Sequence, residues 1–275
     1  MSASTGSTVR KIFVVIDPKR LVQPALEKAE WIAQRNGATL ELYCAVSEAA
    51  VLGDEALEEQ LIERTRAAIE RHIRPAREAG IEIAVKVEAH EDWRRAIASA
   101  AAGSGADLVI KTASPRGQLR RRLMETSDWT LLRNCARPVL LVNQYRSDSP
   151  RVVLAAVKLR PGTDVYEALN ARIVDTAHRI AGLLDAELHA VTVYKGEGIY
   201  FDRQRFADAC RLPRSRVHAT EGSSYEGIAE VAANVGAGVV IVGSAPRPAR
   251  GSVLGATAER VIDEVDADVV VLPAA

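Results

Sequence analysis

Cysteine is scarce in this chain, with three residues in 275. Cys44, Cys135 and Cys210 are odd in number and widely spaced, with no CxxC and no Cys/His metal spacing. That excludes a disulfide framework and a zinc module as organising principles. Cys44 lies in an apolar, strand-like run and reads as a buried, inert thiol. Net charge is also missing: Lys+Arg and Asp+Glu each number 36. A dedicated nucleic-acid binder usually carries a basic surplus, so none is expected. The run Arg116, Arg120, Arg121 and Arg122 reads as a solvated face. No apolar stretch approaches membrane-spanning length, and Met1 to Val9 is polar, without the apolar core of a secretory signal. A soluble, cytoplasmic protein is the expectation.

What the chain does have is a repeat of itself. Asp107-Leu-Val-Ile-Lys-Thr-Ala-Ser-Pro-Arg116 aligns with Gly238-Val-Val-Ile-Val-Gly-Ser-Ala-Pro-Arg247. Leu123 to Leu132 then aligns with Val253 to Ile262, and each half closes on an apolar strand, Pro138–Val142 and Asp268–Leu272. The period is far longer than that of a solenoid, so the repeated unit is a domain. The length accommodates two, and 48% hydrophobic residues supply each with a core. The boundary is expected at the polar stretch Arg146–Pro150, giving domains 1–147 and 148–275.

Periodicity alternates between strand and helix along each half. In the first, strands are expected at 11–16, 39–46, 81–87, 108–111 and 139–142. Helices fall at 22–36, 54–79 and 91–102, and a further one includes 129–134. Gly37, Gly80 and Gly103 supply stop signals, and Asp54 a start. In the second, strands are expected at 152–157, 188–194, 239–242 and 268–272, with helices at 164–184 and 224–234. The stretch 195–216, with Gly196, Gly198 and Pro213, reads as short and irregular where the first half has its long charged helix. Strands alternating with helices imply an α/β fold of parallel βαβ units, an open doubly wound sheet in each half.

Three segments carry a resemblance: Val14-Val-Ile-Asp-Pro18, Thr126-Ser-Asp-Trp-Thr-Leu-Leu-Arg-Asn-Cys135 and Leu254-Gly-Ala-Thr-Ala-Glu-Arg-Val-Ile262. Together they identify the chain as resembling the universal stress proteins in a tandem arrangement, most similar to the universal stress protein E subgroup. The resemblance covers nearly the whole chain. It implies two tandem Rossmann-like or flavodoxin-like domains, each a five-stranded parallel sheet of order 3-2-1-4-5, and a role in the stress response. Many members bind ATP at the carboxyl ends of strands one and four, through an Asp after strand one and a loop of pattern Gly-x-x-Gly-(x)9-Gly-Ser/Thr. The chemistry is sound: ligands settle where strand order reverses, and glycine backbone and a helix N-terminus receive phosphate.

Residue by residue, the pattern is eroded. In the first domain Asp17 holds the Asp position, but Thr112, Pro115 and Glu125 stand at the three glycines, which argues against ATP there. In the second, Gly243 and Gly255 are kept, with Ser244, Gly251 and Ser252 between them and Arg247 and Arg250 available for phosphate oxygens. Pro246 replaces the middle glycine, the loop is one residue short, and Ala256 stands where Ser/Thr is expected, with Thr257 next. Lys158 replaces the Asp. ATP is therefore the candidate cofactor of the second domain alone, and none is required.

Each of these residues also has a structural reading. Asp17 is a turn-former as readily as a ligand contact. Ser127 and Thr257 fit N-caps, Asp128 a favourable first-turn charge, and Arg247 and Arg250 solvated loop charges. Trp31, Trp93 and Trp129 fit core or interdomain packing. The five histidines show no ligand spacing, and no constellation supports nucleophilic or acid–base catalysis. Two functions stand: a non-catalytic binder of a small ligand or protein partner, and an ATP-binding switch with at most slow hydrolysis on the 243–257 loop. Pairing of the two domains through their last strands is expected, with a homodimer as a candidate assembly.

Overall fold

Strand and helix alternate along the described residues because apolar runs of four to eight residues are separated by amphipathic stretches with recognisable caps. The computed structural model describes residues 9–47, 53–114, 126–143, 151–158, 164–194, 201–244 and 255–273. They divide into two compact units, within 8–144 and 145–275.

The first unit runs β1 (Lys11–Val15), α1 (Pro24–Asn36), β2 (Thr39–Val46), α2 (Glu55–Glu78), β3 (Ile83–Ala89), α3 (Trp93–Gly103), β4 (Leu108–Thr112), α4 (Ser127–Asn134) and β5 (Val139–Val142). The strands pair in parallel in the order β3-β2-β1-β4-β5. Helix α1 begins at Pro24, whose missing N–H costs nothing in a first turn. It ends at Gly37, whose φ of 71° suits a left-handed cap and whose N–H reaches the Ala33 carbonyl. Between them Ala25, Ala29, Ile32 and Ala33 are buried along one stripe. In α2 the Asp54 carboxylate accepts from the Leu57 N–H at 3.2 Å. Only Leu61, Ile69, Ile73 and Ala76 of that helix are buried, leaving its charged face to water. The central strands β1 and β4 are apolar and buried almost throughout, as strands covered on both faces must be.

The second unit repeats the order: β6 (Val152–Ala156), α5 (Asp164–Leu184), β7 (Glu187–Tyr194), α6 (Arg203–Cys210), a single 3-10 turn at Arg214–Arg216, β8 (Val217–Glu221), α7 (Ser224–Val235), β9 (Val239–Ser244), α8 (Ala256–Glu264) and β10 (Asp268–Pro273). Its strands also pair in parallel, β10-β9-β6-β7-β8. Each unit is thus an α/β doubly wound module in which the third, second, first, fourth and fifth strands lie side by side.

Most expected boundaries agree within two residues. The third strand starts at Ile83 rather than Ile81, because the Ile81 N–H closes α2 by bonding the Ala76 carbonyl. In place of the long α2 the second unit has the eight-residue α6. Strand β8 lies beyond the expected strands: in its five residues His218, Thr220 and Glu221 are polar and mask the pattern. The proposed linker 146–150 lies outside the described residues. Among the described residues no helix is long and apolar enough to cross a membrane.

Candidate ligand site at the carboxyl ends of the central strands

Strand order reverses between β1 and β4 in one unit and between β6 and β9 in the other, and there a crevice opens at the carboxyl ends. The two crevices are built differently.

In the first unit the chain fills the place itself. After β1, Asp17 forms a closed turn: its carboxylate accepts from the Lys19 N–H at 3.0 Å and from the Arg20 guanidinium at 3.1 Å. The buried Gln23 side chain donates to the Asp17 carbonyl at 2.6 Å and to the Arg20 carbonyl at 3.0 Å. These contacts are those of a turn-former. Thr112, at the first expected glycine, accepts the Ala25 N–H through Oγ1 at 3.1 Å, so a hydroxyl occupies the N-terminus of α1. Beside it the Lys111 ammonium meets the Asp128 carboxylate at 2.7 Å and the Thr112 carbonyl at 2.9 Å. The other Asp128 oxygen accepts the Ser114 N–H at 2.8 Å. Both side chains are nearly sealed from solvent, at 11% and 2% exposure. Asp128 is thus one half of a buried ion pair and not only a first-turn charge. Pro115 and Glu125 lie outside the described residues. A hollow of about 220 Å³ remains to one side, between the carboxyl ends of β1 and β2 and helix α2, lined by Ile16, Pro18, Arg20, Gln23, Leu61 and His72.

In the second unit the aligned place is open. Val242 and Ala258, both buried and apolar, stand where Lys111 and Asp128 stand in the first. A cavity of about 100 Å³ reaches from Lys158 and Tyr166 past Val191 and Ile228 to Gly243 and Thr257. Lys158 is fixed by Asn170, whose side chain accepts the Lys158 N–H at 3.1 Å and donates to its carbonyl at 2.7 Å. Its ammonium lies 4.2 Å from the centroid of the Tyr166 ring, a cation–π contact. Gly243 lies in β9 close under α5: a Cβ there would meet Leu169 Cδ2 at 2.7 Å and Ile173 Cδ1 at 3.0 Å. Gly227 of α7 is as tight against Thr220 and Val193, at 2.6 and 2.9 Å, and so draws the wall carrying Ser224 and Ile228 onto β7 and β8. The Ser244 hydroxyl accepts the Gly255 N–H at 3.1 Å, tying the end of β9 to the start of α8.

Of the residues expected at the site, Gly243, Ser244, Gly255 and Thr257 come together here, and Gly243, Gly255 and Thr257 line the cavity. Arg247, Arg250, Gly251 and Ser252 lie outside the described residues. The capping expectation for Ser127 and Thr257 is corrected. The N-caps are Thr126 and Gly255, neither makes a side-chain cap bond, and Ser127 and Thr257 already sit inside the first turn. Tyr166 and Asn170 were missed; their spacing of four on the first turns of α5, after Lys158, is the signal that places them on one face. The three thiols are buried, and burial lifts those of Cys44 and Cys210 to about 12. Among the described residues no group of three or more His, Cys, Asp or Glu converges on a metal position. Trp129 is in the core, whereas Trp31 and Trp93 are half-buried under Arg35 and Arg94.

Comparison with known proteins bears on the family and the fold. The model of the universal stress protein family matches residues 8–143 and 202–273. Universal stress protein E of Escherichia coli K12 is 28% identical, over 96% of this chain and 93% of its own length. The Haemophilus influenzae homologue of that protein is 25% identical, over 93% and 94%. A crystal structure from Pseudomonas aeruginosa PAO1 superimposes with a TM-score of 0.78 at 27% identity, covering 97% of this chain and 93% of the other. A universal stress protein of Archaeoglobus fulgidus shares the fold, with a TM-score of 0.72 at 14% identity and 97% of each chain covered. With the family model matched in both units and relatives aligned along nearly the whole length, the chain belongs to the universal stress protein family.

Proposed function

We propose that the protein acts in the stress response as a non-catalytic binding protein, with a small ligand seated in the second unit only. One observation carries this reading. At aligned positions the first unit holds the Lys111–Asp128 ion pair and the Thr112–Ala25 bond, where the second holds Val242, Ala258 and an open cavity. The cavity joins a cationic rim (Lys158), an aromatic face (Tyr166) and an apolar wall (Val191, Val193, Ile228). That set suits an anionic molecule with a flat apolar part. Membership of the family gives the stress-response setting.

The second reading, an ATP-binding switch, is favoured by Gly255 and Thr257 at the opening of α8 beside the cavity, where a helix N-terminus receives phosphate. Titration of labelled ATP separates the two, with native mass spectrometry of co-purified material alongside. One saturable ATP site per chain, abolished by Ile228→Trp, which fills the cavity, and untouched by Asp17→Asn, belongs to the switch; a different co-purified molecule, lost from Ile228→Trp and kept by Asp17→Asn, belongs to the first reading. Steady phosphate release lost in Thr257→Asp belongs to the switch alone. Two equivalents of ligand, or binding that survives Ile228→Trp, would overturn the assignment to the second unit.

A further inference from the structure

Two of the five histidines, 29 residues apart in sequence, meet on one face of the second unit. His218 of β8 lies in register with Val191 of β7, and His189 is two residues earlier on the same strand and face. The rings stack with centroids 5.2 Å apart and planes within 10°. His189 Nδ1 and His218 Nε2 face each other at 2.9 Å. A hydrogen bond there needs one N–H and one lone pair, so the neutral pair shares a single proton. Around it, Glu187 Oε2 stands 3.5 Å from His189 Nε2, and the Arg216 guanidinium holds the other Glu187 oxygen at 3.2 Å. On the far side Arg203 of α6 donates to the Val217 carbonyl at 2.7 Å.

We infer that this pair is a bidentate site for a divalent late transition cation. Two imidazole nitrogens each ~2.1 Å from one metal ion stand about 3.0–3.4 Å apart, a few tenths of an ångström wider than they stand here. Imidazole is the donor such ions prefer. The Glu187 carboxylate faces the ring nitrogen of His189 that points away from His218, the relation in which a carboxylate fixes a ligating histidine's tautomer and raises its basicity. Burial first, then the neighbouring His189 and Arg203, holds His218 below the usual histidine range, so its lone pair is available at neutral pH. On binding, the shared proton moves to the outer nitrogen of the ring that carried it, so each imidazole keeps one N–H and turns one lone pair to the metal; water completes the coordination. Competing thiolate donors are few, since all three cysteines are buried with raised pKa values. The site uses the amino-terminal half of β7 and does not depend on a ligand at the carboxyl ends.

The test is titration of the full chain with Zn(II) at neutral pH, read by calorimetry and by the imidazole nitrogen resonances. One equivalent is expected, with the His189 and His218 resonances shifting together. His218→Gln keeps a hydrogen-bonding partner for His189 but offers no imidazole, and it should weaken binding at least tenfold. Glu187→Gln should weaken it about tenfold; His72→Ala and His90→Ala should leave it unchanged. Affinity should fall as pH drops below ~6.5 and protons compete for the rings. Equal affinity in His218→Gln, or shifts confined to other histidines, would overturn the site; the resonances of the unaltered chain decide it even if a variant misfolds.

Discussion

At the scale of single residues, the two switch points differ by substitutions whose energetics can be separated. Asp128→Ala strands the Lys111 ammonium in a buried place, which costs about 3–5 kcal/mol when one partner of a buried pair is removed. The double change Lys111→Val with Asp128→Ala reproduces the second unit's own pair and should restore stability to within ~1 kcal/mol of the starting chain, since a well-packed apolar pair replaces a buried ion pair at little net cost. Denaturant midpoints of the three proteins check this. Gly243 gives a second contrast. As a phosphate-approach glycine it would tolerate alanine in the absence of ligand. As the floor under Leu169 and Ile173 it would not. Gly243→Ala is expected to destabilise the free protein by about 1–3 kcal/mol through overpacking, and Leu169→Val in the same chain should recover part of that loss.

Among the elements, α2 and β8 show what sequence patterns reveal and what they hide. The Asp54 start and Gly80 stop of α2 were legible because capping is local chemistry, and Asp54→Ala should cost ~1 kcal/mol in thermal or denaturant unfolding. Order 3-2-1-4-5 was legible only through the resemblance; alternation alone gives a parallel sheet but no order. Strand β8 was illegible because it spends His218 and Thr220 on the face where a strand normally shows apolar residues. The site was half legible. Gly243, Gly255 and Thr257 stood in a recognisable pattern, whereas the Lys111–Asp128 pair and the Lys158–Asn170 clasp join distant residues that only packing brings together. The histidine pair on β7 and β8 sets a pH dependence. The folded form holds His218 neutral to a lower pH than the unfolded chain does. Between the two pKa values the unfolded state therefore binds more protons, and stability falls as pH drops below the ordinary histidine value of ~6.5. The melting temperature should decline on acidification from pH 7 toward 5.5, with a shallower slope in His218→Gln.

For the whole molecule, duplication without equivalence is the central property. Two modules of one strand order carry one filled switch point and one open one, so occupancy of one ligand per chain is expected where symmetry would give two. Thiol chemistry provides a global check on folding. With Cys44, Cys135 and Cys210 all buried and held as thiols, a disulfide reagent should label none of them rapidly in the native protein, and all three in denaturant.

The close seat of Gly227 on Thr220 and Val193 bears on what can enter the second unit. A single absent methyl group lets α7, which carries the lining residues Ser224 and Ile228, seat closely on β7 and β8. Restoring that methyl would act as a wedge, tilting the helix outward and enlarging the chamber at the expense of its grip. The room available to the proposed ligand is then set in part by a residue outside the cavity lining.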